Sequence, residues 1–274
     1  MGGKTVATLS DGFLEIKNGG GFALFPTPVD SEKLHVFQQI QTLSPQSYSI
    51  NDFDYYGSIS DFTGKAFDGF GKLPLPESVT SQMANVTEEI TAGLATHLDP
   101  TETDAWITIR FQPTSHAFDT PRWHIDGKMF TDGTVPKIQY KIGGALFGPG
   151  TLFYDIPPEK RHSFAEETTD PGIQFYNGLV AGKDPNVLNE EWLNARKLVD
   201  KKVPQENIVQ GSSEFMAVFA VGDPGTSGFH SEPNMSSSGN RMFFSMVPGT
   251  KSQIEELRQK FEQHNPNTKK TNRM

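Results

Sequence analysis

Between positions 105 and 247 the chain breaks repeatedly into short apolar runs, each closed by Gly, Pro or a polar turn. The runs are AWITIRF (105–111), PRWHID (121–126), KIQYKIGGALF (137–147), TLFYDI (151–156), IQFYNGLVA (173–181), EFMAVFAVG (214–222), GFHSE (228–232) and RMFFSMV (241–247). Each has the length and the β-branched or aromatic content of a strand. Strands at this density, punctuated by turns, predict an antiparallel barrel or sandwich. With 26 Gly and 19 Pro in 274 residues, the turns are well supplied.

The flanks read differently. Residues 1–104 are mixed, with strand-like pieces at 13–16 and 21–25 and a helix over 30–43, where Leu34, Phe37, Ile40 and Leu43 recur at helical spacing. A Phe/Gly/Asp-rich loop is expected at 50–76, with Asp52, Asp54, Tyr55 and Tyr56 as candidates for a substrate lid. A helix over 77–98 carries the stripe Val79, Met83, Val86, Ile90, Leu94 and Leu98, which reads as core. A helix is expected over 189–202, another over 252–264, and then a polar tail. The organisation is therefore an N-terminal mixed region (1–104) packing on a β core (105–250) with a helical insert near 182–212, then a C-terminal helix and tail (251–274).

Composition removes several functions. Net charge is −9 and no long basic run occurs before the extreme C-terminus, so bulk phosphate-backbone binding is not expected and no nucleic-acid partner is predicted. The chain has no cysteine, which excludes disulfides, zinc–thiolate sites and thiol catalysis. No stretch approaches the length of a membrane span and the first residues lack a signal-like apolar run, so a cytoplasmic protein is expected.

The chemistry starts at RWHIDG, 122–127. On a strand, His124 and Asp126 are i and i+2 and leave the same face; on a helix they would diverge. His-x-Asp alone is a frequent coincidence. GFHSEPNMSSSGNRMFFSM (228–246) adds His230 near one strand end and Arg241 at the start of the next, with a turn-rich stretch between. Two histidines and a carboxylate on one side of an ion leave three positions open, the facial triad of non-haem Fe(II) oxygenases. An arginine one strand away can grip a distal carboxylate through two charge-assisted bonds.

On these residues, WHID followed by His230 and Arg241, the chain resembles the Fe(II)/2-oxoglutarate-dependent dioxygenases over roughly 105–250. The resemblance implies a double-stranded β-helix (jelly-roll) core inside a mainly β chain with flanking helices. It implies His124, Asp126 and His230 as iron ligands, and Arg241 as the partner of the 2-oxoglutarate C5 carboxylate. Some members carry Ser two residues after that arginine. Here that position is Phe243, so Ser245, Tyr140 and Thr151 are the candidates for a hydroxyl partner. A carboxylate at 126, rather than a small residue, favours hydroxylation over halogenation. The implied reaction uses Fe(II), 2-oxoglutarate and O2 to hydroxylate a C–H bond, most simply of a small molecule, with release of succinate and CO2. The alternatives are a hydroxylase of protein side chains, a non-catalytic jelly-roll binding module, and a hydrolase or isomerase using the same ligands with another metal.

Overall fold

The computed structural model of the protein describes residues 5–43, 53–117, 119–131, 138–236 and 239–264. The polar tail and the centre of the SSSGN reversal lie outside them, as does Asp52.

The chain order is α1 (Leu9–Lys17), β1 (Phe22–Pro26), α2 (Ser31–Leu34) running into a 3-10 helix (His35–Thr42), β2 (Phe53–Ser58), α3 (Lys65–Phe70), α4 (Glu77–Ala95), β3 (Asp104–Gln112), β4 (Gln139–Phe147), β5 (Leu152–Tyr154), α5 (Pro158–Val180), α6 (Pro185–Asp200), β6 (Ile208–Gln210), β7 (Phe215–Val221), β8 (Phe229–Ser231), β9 (Arg241–Gly249) and α7 (Lys251–His264). Two antiparallel sheets result. The large one has the order β1-β7-β4-β9-β3-β2 and the small one β6-β5-β8. His124 bridges His230 of β8 and adds a one-residue fourth member to the small sheet.

This order makes the jelly roll explicit. After β3 in the large sheet the chain visits the small sheet at His124, returns as β4, crosses again for β5 and β6, returns as β7, crosses for β8 and ends as β9. Such alternation winds two antiparallel sheets face to face into a double-stranded β-helix. Among the described residues, no helix is long and apolar enough to cross a membrane.

Three apolar layers follow from strand parity. Ile107, Ile109, Ile142, Val218, Phe244 and Met246 leave the outer face of the large sheet and pack under α1, α3 and α4. The other parity points Phe22, Trp106, Phe219, Val221 and Val247 into the barrel with Phe153 from the small sheet, where α7 closes one end with Ile254 and Leu257. Trp123, Tyr154 and Phe229 face out of the small sheet onto Phe164 of α5 and Val199 of α6. In α4 the stripe reaches the core as predicted. Its buried Thr87 and Thr91 hydroxyls donate to carbonyls one turn back, Met83 and Thr87, at 2.9 Å each, so burial leaves no hydroxyl unpaired.

Four expectations are corrected. Residues 13–16 are helical, because Thr8 and Asp11 form a capping box that starts α1. The loop at 50–76 is largely structured: β2 pairs with β3 from Phe53↔Ile109 to Ser58↔Asp104, and α3 follows. Asp54 accepts the Trp106 indole N–H at 2.8 Å and Tyr56 stacks on the same indole, so these two are wall rather than lid. Residues 173–180 belong to α5, with Ala181 its C-cap, and not to a fifth strand; this short apolar run is ambiguous by composition, and the helix begun after Pro157 runs through it. Among the described residues, PRWHID pairs only at His124.

One glycine shapes the site. Gly148 has φ +82°, and a Cβ there would lie 2.5 Å from the Asn240 carbonyl. It turns the chain from β4 toward β5 so that Thr151 arrives beside Arg241. The outer layer packs the large sheet against its helices. Phe244→Ala, at a fully buried site, is expected to cost about 3–5 kcal/mol in denaturant unfolding; a loss under about 1 kcal/mol would show that this layer does not carry the fold.

Candidate metal centre

His124 and His230 are set side by side by the backbone. Each N–H donates to the other residue's carbonyl at 3.0 Å, and the imidazole centroids are 4.2 Å apart. Both rings are then oriented by their own strands. His124 Nδ1 lies 2.8 Å from the Arg122 carbonyl and His230 Nδ1 lies 3.1 Å from the Gly228 carbonyl. A carbonyl only accepts, so each Nδ1 carries the proton and each Nε2 presents a lone pair.

Asp126 completes the cluster. Its Oδ1 is 3.8 Å from His124 Nε2 and 3.7 Å from His230 Nε2. Its backbone is fixed by Gly222, whose N–H donates to the Asp126 carbonyl at 2.9 Å. One ligand atom from each residue falls within 4.8 Å of the other two, and this is the metal-capable group found among the described residues. Both oxygen–nitrogen separations are under twice a metal–ligand bond of about 2.1 Å, the spacing that ligands sharing one ion require. The donor set, two neutral imidazoles and one carboxylate, fits Fe(II). His124 and Asp126 therefore share a face, as their spacing predicts, although a single bridge and not a regular strand holds them there.

The charge states agree with this use. Burial pushes both imidazoles below the ordinary 6.5, and for His124 the neighbouring His230 and Arg122 add to the effect. Burial alone would raise Asp126, but Lys141 and the two histidines outweigh it and hold the carboxyl below its ordinary 3.8. At neutral pH the three side chains are all in their metal-binding forms.

Sequence reasoning missed two neighbours. Lys141 Nζ sits 3.0 Å from Asp126 Oδ2, with both side chains largely buried. The signal was a lysine inside the apolar strand QYKIGGALF. Arg122 pairs with Glu232 at 2.5 Å, and its Nη2 stands 3.5 Å from His124 Nε2. A further histidine in the loop before this segment, His116, is exposed and pairs with Asp119, and it is not part of the cluster.

Arg241 forms the second part of the site. It is buried at 3% exposure, its Nη1 donates to Gln112 Oε1 at 2.7 Å and its Nη2 to Thr151 Oγ1 at 2.8 Å. Its Nε is buried with no hydrogen-bond partner among the described residues. Burial pulls this guanidinium down to about 10, which still leaves it charged at neutral pH. Thr151 lies two residues before Phe153, which pairs in register with His230, so this cation sits about 7 Å along the strand from the metal ligands. Ser245 shares the Arg241 parity on β9 and its Oγ is 2.7 Å from Thr108 Oγ1. The structure thus brings Thr151 to Arg241 and places Ser245 on the same inner face. Tyr140 is a correction. Strand alternation sends Lys141 inward and Tyr140 outward, where its ring meets Phe13 and its hydroxyl bonds Glu102.

A cavity of about 420 Å³ lies elsewhere, bounded by Gly20, Tyr154, Ile156, Arg161 and Phe229. Phe229 faces the opposite side of β8 from His230, so this space is not the metal centre.

No family model matches the chain and no curated protein matches it. Among solved structures it is similar to the Kdo hydroxylase KdoO, a non-heme Fe(II) α-ketoglutarate-dependent dioxygenase in complex with succinate and Fe(III), at 13% identity and TM-score 0.43, covering 94% of this chain and 91% of that one. It is similar to iron-bound HygX from Streptomyces hygroscopicus at 12% identity and TM-score 0.41, over 86% and 85% of the two chains. A Pseudomonas putida prolyl-4-hydroxylase matches at 8% identity and TM-score 0.39, over 90% and 94%. At these scores the likeness is one of gross shape, and the strand order carries the fold assignment by itself.

The buried neutral histidines give a signed pH dependence. As pH falls through about 6.5 the unfolded chain takes up protons at these two positions and the folded chain does not, so the metal-free protein loses stability as pH drops from 7 toward 5. The Asp126 contribution is lost only below 3.8, outside that window. Melting temperature against pH is expected to slope less steeply in His230→Phe than in the wild type; equal slopes would show that His230 is not held neutral by the fold.

Proposed function

We propose that this protein is an Fe(II)- and 2-oxoglutarate-dependent oxygenase that hydroxylates a C–H bond of a small molecule, with release of succinate and CO2. The observation that carries the reading is a conjunction: three convergent ligands, with a buried guanidinium on the same barrel interior whose Nε has no hydrogen-bond partner among the described residues. A binding module needs no such ligand set. A hydrolase or isomerase needs no second cation at that distance.

Iron, when bound, supplies the redox chemistry that couples 2-oxoglutarate decarboxylation to hydroxylation by O2. His124 and His230 would hold it through Nε2 and Asp126 through Oδ1. Arg241 would pair with the distal carboxylate of 2-oxoglutarate, its fork already aligned by Gln112 and Thr151. The hydroxyls of Thr151 and Ser245 are the polar groups offered to the same carboxylate. Phe153 and Phe219 pack their rings 6.1 and 4.9 Å from the His230 ring and exclude water from that side. The small-molecule class rests on the acidic chain and on the lack of any repeat or basic surface in its sequence that would suit a polymer. A cytoplasmic location belongs to the same proposal and is checked by fractionation.

The test is anaerobic addition of Fe(II) and 2-oxoglutarate. A weak visible charge-transfer band is expected in the wild type and none in His124→Ala; no band and no affinity for 2-oxoglutarate in the wild type would end this reading. Arg241→Ala is expected to weaken 2-oxoglutarate binding by about 10- to 100-fold, the worth of one charge-assisted pair, while metal binding persists. Unchanged 2-oxoglutarate affinity would remove Arg241 from its role.

A further inference from the structure

The two oxygens of Asp126 face different partners. Oδ1 looks toward both histidine Nε2 atoms at 3.7 and 3.8 Å, whereas Oδ2 is taken by Lys141 Nζ at 3.0 Å. Neither side can readily let go. Lys141 is pinned in mid-sheet, paired in register with Phe219 of β7, and its ammonium lies 5.9 Å from the centroid of the Phe219 ring. Its side chain is 13% exposed, and Asp126 is the ion-pair partner the barrel interior gives it. Asp126 in turn is tethered by the Gly222 N–H.

We infer that Lys141 is a positioning residue that restricts Asp126 to coordination through Oδ1 alone. The inference rests on the metal-dependent reading above and concerns how many positions the ion keeps open. A six-coordinate ion held by two imidazoles and one carboxylate oxygen has three free positions, of which a chelating keto acid fills two and leaves one. A carboxylate with both oxygens free can bind a cation through both. In that case the protein fills four positions, the keto acid fills the rest, and nothing is left for the third reactant.

This restriction costs metal affinity. An ammonium held against a metal-binding carboxylate repels a dication across a poorly screened interior. The signature is therefore unusual: removing Lys141 strengthens metal binding and weakens turnover. A residue serving only to hold the barrel together would weaken both, and lower thermal stability with them.

The experiment is calorimetric titration of the metal-free protein with Co(II), in wild type, Lys141→Met and Lys141→Arg, alongside melting temperature and succinate formation. Lys141→Met is expected to bind Co(II) about tenfold more tightly or better while forming succinate at least tenfold more slowly. Lys141→Arg, which keeps the cation, is expected to return Co(II) affinity to within a few-fold of wild type. Metal affinity that is unchanged in Lys141→Met, or that falls together with the melting temperature, would overturn the inference while leaving the metal-dependent reading intact. Failure of the wild type itself to take up Co(II) would overturn both, and is distinguished by that result alone.

Discussion

A reciprocal pair of backbone hydrogen bonds, His124 to His230 and back, is the constraint on which the site depends. Among the described residues it is the one strand-type pairing that the RWHIDG segment makes, and it joins positions more than a hundred residues apart in sequence. With the two backbones locked, each imidazole needs only its own local carbonyl to settle its tautomer and aim. The rigid partner is β8, which is held by β5, which in turn is held by β6. The small sheet is thus short, and its role is to bring His124 and His230 together.

Around that bridge the protein manages charge in a confined space. Asp126 is a buried carboxylate, and an unpaired one would be driven toward its neutral form. Lys141 and the histidines keep it ionised, and Arg122 with Glu232 brackets His124 from the other side. Further along the barrel Arg241 stays charged despite burial, with a neutral amide and a hydroxyl rather than a carboxylate on its terminal nitrogens. Among the described residues no direct ion pair compensates its charge, a state that suits a site awaiting an anion.

Much of this was legible in the sequence, and the limits were physical. His-x-Asp on one strand face, His230 and Arg241 are short-range patterns, and the fold carries them to one place. Four of the expected strand runs also reappear, as β3, β4, β7 and β9. The large sheet, however, is covered on both sides, by helices outside and by the barrel inside. Its strands are therefore apolar at nearly every position, and parity cannot be read from alternation. That is why Tyr140 and Lys141 exchanged roles: the tyrosine looked like a site hydroxyl and the lysine gave no sign of its partner. Residues 173–181 failed for a related reason, since a short apolar run suits a strand or a buried helix equally. The β2 segment was hidden among Gly, Asp and Phe residues whose pairing partner, β3, lies about fifty residues on.

The central claim is that one ion and one dicarboxylate bind together inside this barrel on the residues named. A crystal structure of the protein loaded anaerobically with Mn(II) and 2-oxoglutarate tests it most directly. The account predicts one anomalous peak bonded to His124 Nε2, His230 Nε2 and a single Asp126 oxygen, Oδ1, with the distal carboxylate of 2-oxoglutarate against Arg241. A metal bound elsewhere, or a 2-oxoglutarate that leaves Arg241 untouched, would contradict it.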